Sequence, residues 1–183
     1  LNTQKNSPFY NTFDMKGEKL KVPKGQPSAI NLLGAARGLA SLIPEKLMFH
    51  MRSEDLDPAA IVTLYWKTVK QLTGAYWNFE EKTVKGKKVY TNKRLRDSAG
   101  FGALCFLGRD MIHQALVDSK RYGLEFENAL VSSMQPLKEV RWHLHSDSRP
   151  NVWTFGVSGG WSGSSALAPR LKDWVNLGVE PNP

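Results

Sequence analysis

The chain has 183 residues, 41% of them hydrophobic, with six Trp, eight Phe and five Tyr. That length and apolar content suit one domain with its own core and exclude a disordered segment. Its 25 basic and 17 acidic residues give a net charge of +8, but seven of the basic residues and no acidic one fall between Lys82 and Arg96, which leaves +1 for the rest; this is a local basic segment on a near-neutral body rather than a uniformly cationic surface.

The longest apolar run, Ala99 to Leu107, carries two glycines and falls short of the roughly 20 residues a membrane-spanning helix needs. The single cysteine, Cys105, lies in that run and reads as a small buried apolar residue. It allows no disulfide within the chain and fits a reducing compartment. The first residue is Leu1, read either as a processed terminus, as in a mature organellar import product, or as the edge of a trimmed fragment.

In chain order, residues 1–27 read as an extended N-terminal arm with Pro8, Pro23 and Pro27 and the apolar anchors Phe9, Tyr10, Phe13 and Met15. Ser28 is a suitable N-cap for a helix over 29–42, whose Gly34, Ala35, Ala36 and Gly38 leave a thin surface for close packing. Pro44 can open a short helix to Met51. Asp57-Pro58 is the clearest helix start, with Gly74 as its stop; Ile61, Leu64, Tyr65, Val69 and Leu72 share one face, opposite Lys67 and Lys70.

Residues 83–90 read as a small β-hairpin turning near Gly86, or as a basic loop. A long helix over 97–121 follows, stopped by Gly123 and striped by Phe101, Leu104, Met111, Ile112 and Ala115, with Gly100, Gly102 and Gly108 placed for another helix to approach. A helix over 125–134 precedes Pro136. Val140, Trp142 and Leu144 alternate with Arg141, His143 and His145 as in a strand, with Val152–Phe155 as its partner. Gly156–Ser165 reads as a loop, Pro169–Leu177 as a last short helix, and 178–183 as a C-terminal tail. The fold expected is mostly α: a helical bundle over 28–177 with a small β-hairpin or short strands, flanked by extended arms.

Few motifs carry chemistry. Gly156-Val157-Ser158-Gly159-Gly160 fits the G-x-S-x-G spacing of a nucleophile elbow, but that architecture needs a histidine after the serine. All four histidines (His50, His113, His143, His145) precede Ser158. The pentapeptide also resembles the serine loop of chymotrypsin-like proteases, where the histidine comes first; that fold is all-β, and Val157 replaces the aspartate. His143 and His145 would share one strand face, with Asp147 or His113 as further metal donors, yet two ligands fall short of what zinc demands. Glu54, Asp55 and Asp57 read as helix-capping and dipole-compensating acids. No phosphate-binding glycine loop occurs.

The basic segment is the candidate partner site: Lys82, Lys85, Lys87, Lys88, Lys93, Arg94 and Arg96 for charge, with Tyr90 able to stack on a base. With no cofactor or metal site expected, the reading is a non-catalytic accessory subunit of a large assembly. The anchored arm, the loose tail, the basic segment and a Trp-rich surface motivate it. Such a chain would be a soluble-side subunit of a mitochondrial respiratory or ATP synthase complex, or a mitoribosomal protein, on the matrix side, with the cytoplasm as the other compartment. Its partners would be protein subunits, with RNA or anionic lipid head groups as further ones. The alternative is a protein that binds RNA or single-stranded nucleic acid through 82–96.

Overall fold

The structure, a computed structural model, describes residues 9, 13–14, 30–77, 80–91, 95, 98–140, 142 and 160–177. They are mostly helical: α1 (Leu32–Leu42), α2 (Glu45–Ser53), α3 (Pro58–Thr73), α4 (Ser98–Tyr122), α5 (Phe126–Met134) and α6 (Gly160–Leu177). Turns of 3-10 helix follow α3 (Gly74–Trp77) and α5 (Gln135–Lys138). Two short pairings accompany them. Phe13–Asp14 (β1) runs parallel to Ile30–Asn31 (β2), and the backbone of Glu80–Val84 (β3) runs antiparallel to Lys87–Thr91 (β4), with Glu80 opposite Thr91.

Local chemistry sets the boundaries of α3. The Asp57 carboxylate accepts a hydrogen bond from the Ala59 N–H at 2.9 Å, Pro58 fills the first helical position, and Gly74 ends the helix at φ 54°. Ile61, Tyr65 and Val69 are buried, and so is Trp66, which widens the apolar face beyond the expected stripe; Lys67 and Lys70 are exposed.

The central element is α4, against which α1, α5 and α6 pack. Its buried residues include Ala99, Gly100, Gly102, Ala103 and Gly108 between Phe101, Leu104, Leu107, Met111 and Ile112. These small residues let neighbouring helices approach. A Cβ at Gly108 would run into the Tyr65 ring and lie 2.6 Å from both the Tyr65 hydroxyl and Leu42 Cδ1; one at Gly38 would strike the Phe101 ring and lie 3.2 Å from Cys105 Sγ. Ala35, Gly38 and Leu42 thus form the buried edge of α1, while Ala36 is exposed. The Tyr65 hydroxyl donates to the Leu104 carbonyl at 2.5 Å, which gives the buried phenol its acceptor.

Above this seam lies an aromatic cluster. The Trp66 and Phe101 rings stack with centroids 5.1 Å apart and an interplanar angle of 8°. Phe9 meets Trp66 edge-on at 4.7 Å and also touches Trp77 and Phe101, so this arm residue is fully buried in the body. Trp66, Trp77, Trp142 and Trp174 are all buried. Among the described residues these four indoles fill the interior, contrary to the expectation of a Trp-rich surface; Trp153 and the Trp161 side chain lie outside the described residues.

Three boundaries differ from the sequence reading. The first helix begins at Leu32, not at residue 29, because buried Ile30 and its neighbour Asn31 pair as a strand with β1; Ser28 lies outside the described residues. Pro169, expected to open a short last helix, sits inside α6, which begins at Gly160. The buried edge of α6 is Gly163, Ser164, Leu167, Leu171 and Trp174, a helical stripe whose first members are small. The Ser164 hydroxyl donates to the Ser98 carbonyl at 2.9 Å and ties this turn to the start of α4. Pro169 is on the exposed face, where solvent can offset the hydrogen bond it cannot donate. Third, Gln135–Lys138 continues past α5 as a 3-10 turn before Val140 and Trp142, both buried, and the Trp142 indole donates to the Leu137 carbonyl at 3.1 Å. The strand partner at 152–155, Ser158, His143, His145, Asp147, most of 1–27 and the tail 178–183 lie outside the described residues.

Gly108→Ala is expected to cost about 1–3 kcal/mol through overpacking against Tyr65 and Leu42. Gly86, by contrast, has open space around a Cβ and positive φ, so Gly86→Ala should cost only the backbone strain, about 1 kcal/mol. Urea denaturation midpoints test this; equal shifts for the two variants would show that the Tyr65 and Leu42 side chains are not tightly packed on Gly108.

Candidate functional site

The expected partner site is only partly placed. Lys82, Lys87, Lys88 and Tyr90 fall on β3 and β4, where the backbone alone is described; Lys85 is exposed at the turn, with φ 51° beside Gly86 at 72°. Lys93, Arg94 and Arg96 lie outside the described residues, while Leu95 between them is buried in the core. The segment's far end is therefore pinned to the body by an apolar side chain.

A second cationic cluster was not anticipated. It lies along α4, around two adjoining concavities of about 360 and 340 Å3, the first walled by α2 and the second by α6, that share Arg109 and Asp110. Lys46 and His50 face the first from α2, and Arg109 and His113 from α4. Lys172 and Pro169 of α6 line the second with Phe106 and Leu107. Both Lys46–His50 and Arg109–His113 are i, i+4 pairs, so each shares one helix face.

Asp110 organises this cluster. Its Oδ2 accepts from Lys172 Nζ at 2.9 Å, and its Oδ1 accepts from Arg109 Nε at 3.2 Å and lies 3.1 Å from Arg109 Nη2. Partial burial would push its pKa up, but the hydrogen bonds from Lys172 and Arg109 outweigh this and hold it below the ordinary aspartate value of 3.8.

A different set of residues gathers at the C-terminal ends of α2 and α4. Lys120 donates to Glu54 Oε1 at 2.7 Å and lies 3.4 Å from His50 Nε2. Its hydrogen bond lowers the Glu54 pKa. Glu54 therefore clasps α4 instead of capping α3; of the acidic trio only Asp57 caps, and Asp55 takes a left-handed φ of 56°. Five large apolar side chains are exposed among the described residues: Leu33 on α1, Phe49 on α2, Val117 and Tyr122 on α4, and Leu124 just beyond it, with Phe49 the most exposed at 75%; Leu124 lines a concavity together with Glu54 and Lys120. Arg121 lies over the Tyr122 ring at 5.4 Å.

The described nucleophiles are poorly placed for chemistry. Burial pushes the pKa values of the Cys105 thiol and the Tyr65 phenol up, and both are enclosed in the core. His113 is exposed on α4, and among the described residues no group of three metal-ligating side chains occurs. Nor, among them, is any helix long and apolar enough to cross a membrane. Comparison with protein-family models, with curated proteins and with solved structures finds no match for this chain.

The Asp110 bridges have a pH signature. A lowered folded-state pKa contributes stability that is present above the ordinary value of 3.8 and lost as pH falls through the folded value beneath it. Asp110→Asn should remove that component, worth at most about 1 kcal/mol for so exposed a pair, and flatten the acid limb of the stability curve. Parallel wild-type and variant curves below pH 5 would show that the bridges are energetically silent.

Proposed function

We propose that this chain is a non-catalytic structural subunit of a larger protein assembly. The observation that carries the reading is the exposure of four large apolar side chains on α2 and towards the end of α4, Phe49, Val117, Tyr122 and Leu124. Isolated exposed leucines are ordinary, but exposed side chains of this size are candidate contacts for a partner. Two of the four are aromatic, the class that anchors interfaces. The burial of Cys105 and Tyr65 further favours a binding role over a chemical one. We place the assembly in an organelle, on the matrix side of mitochondria. There the chain would be a soluble-side subunit of a respiratory or ATP synthase complex or a ribosomal protein. Its basic balance and lone buried cysteine favour that compartment.

A second reading, binding of RNA or single-stranded nucleic acid through Lys82–Arg96, has the exposed Lys85 turn behind it. Size-exclusion chromatography of a native extract separates the two. Elution far above 20.6 kDa, unchanged by nuclease, together with stoichiometric partner chains, is expected for a protein assembly. Collapse on nuclease treatment would favour nucleic acid, and elution as a free monomer would defeat both. The double variant Phe49→Ser, Tyr122→Ser should fold yet leave the assembly, because losing an aromatic anchor typically costs at least about 2 kcal/mol of binding.

A further inference from the structure

We infer that the two adjoining concavities along α4, joined at Arg109 and Asp110 and walled by α2 on one side and α6 on the other, form a groove that binds a phosphate-bearing anion, held by Lys46, His50, Arg109, His113 and Lys172.

The charge balance points this way. Lys46, Arg109 and Lys172 bring three positive charges to the two concavities, and among the described residues Asp110 is the only carboxylate lining them. The groove is therefore net positive before either imidazole is protonated. Asp110 does not cancel this charge so much as orient it: it holds the Arg109 guanidinium through Nε and Nη2 and the Lys172 ammonium through its other oxygen. Arginine carries five N–H donors in a rigid fork, so those not aimed at Asp110 remain for a ligand. Among the described residues, Lys46 and His113 have no hydrogen-bond or ion-pair partner. His50 has one described neighbour: Lys120 can only donate, so His50 Nε2 accepts and Nδ1–H is its remaining donor.

The arrangement selects among anions. A carboxylate offers two coplanar oxygens, which one guanidinium fork can satisfy. Here the donors come from three helices, and a tetrahedral group with three acceptor oxygens can meet several at once. The concavities, about 360 and 340 Å3, have the size of small-molecule sites. Phe106, Leu107, Leu47 and Pro169 supply apolar wall beside the charges, room for the organic part of a phosphorylated molecule. The same phosphate chemistry is offered by a soluble metabolite or by a phosphomonoester lipid head group.

The test titrates the full chain at low salt with inorganic pyrophosphate, by calorimetry, and in parallel measures co-sedimentation with phosphatidylcholine vesicles with and without phosphatidic acid. Lys46→Gln and His113→Gln are the informative variants, because both residues are solvent-exposed and neither has a partner among the described residues whose loss would disturb folding. Lys70→Gln, on the exposed face of α3, is the charge-matched control. Saturable pyrophosphate binding that weakens by about tenfold in Lys46→Gln and again in His113→Gln, but not in Lys70→Gln, is expected when single charge-assisted contacts are removed. Vesicle binding that needs phosphatidic acid and shows the same variant pattern would identify a lipid source; pyrophosphate binding without vesicle binding would identify a soluble one. No binding of either probe, or equal weakening by all three substitutions, would overturn the assignment.

Discussion

The fold depends on how closely α1 and the Tyr65 side chain of α3 approach α4 at Gly108. No side chain separates the α4 backbone from the Tyr65 ring and Leu42 there, so the phenol spans the distance from α3 to α4. The closeness has a polar consequence. Tyr65 is driven so far inward that its hydroxyl loses water, and a buried hydroxyl without an acceptor would be costly. The Leu104 carbonyl, on the same face of α4 one turn before Gly108, accepts that hydrogen bond. Glycine and tyrosine are thus one device: the first permits the approach and the second locks it. With α3 fixed in depth, Trp66 comes to lie flat on Phe101, and Phe9 and Trp77 close over the pair. Within that cluster the Trp66 indole N–H is the one buried side-chain donor among the described residues without an acceptor, a cost of about 1–3 kcal/mol that the surrounding aromatic packing has to offset.

Charge is arranged around this interior, not in it. The described ion pairs lie on outer faces, Glu54–Lys120 between the end of α2 and α4, and Asp110–Lys172 between α4 and α6. Each is half-exposed and contributes little energy, and each joins two helices whose relative rotation the core packing sets. Rotation decides what the surface displays. The Glu54 clasp brings the Phe49 end of α2 beside the last turns of α4, and the Asp110 bridges gather cations from α4 and α6 opposite those of α2. What the surface offers a partner follows from packing that the core has already determined.

Elements whose ends are specified by short-range chemistry were legible in the sequence. Asp57-Pro58 and Gly74 bound α3 because a cap, a fixed φ and a left-handed stop act over one or two residues. The core stripe of α4 was legible from its period, and Cys105 from its apolar neighbours. α6 was half missed because Gly160–Ser165 has the composition of a loop; its helicity comes from packing against α4, which favours Gly163 and Ser164 because they are small. Ile30–Asn31 extends because of a partner far back in the chain, a non-local cause that no local pattern reports. Tryptophans look alike in sequence whether they face solvent or fill the centre. The groove was harder still. Lys46, Arg109 and Lys172 come together only through three helix contacts, and the sole local hints were two i, i+4 pairings of a cation with a histidine. The run Lys82–Arg96 stood out because its charges are contiguous, a compositional signal that says nothing of geometry.

Exposed apolar side chains and cationic concavities share one rod, α4. Val117 lies eight residues beyond Arg109, about 12 Å along a helix that rises about 1.5 Å per residue. His50 lines one concavity and lies 3.4 Å from the Lys120 that pairs with Glu54. Distant sites without shared partners act additively, whereas groups in one hydrogen-bond network do not. His50, Lys120 and Glu54 form such a network. A ligand drawing on His50 would therefore bear on the Glu54–Lys120 clasp between the end of α2 and α4, whereas one held by Lys46, Arg109 and Lys172 alone would leave it untouched.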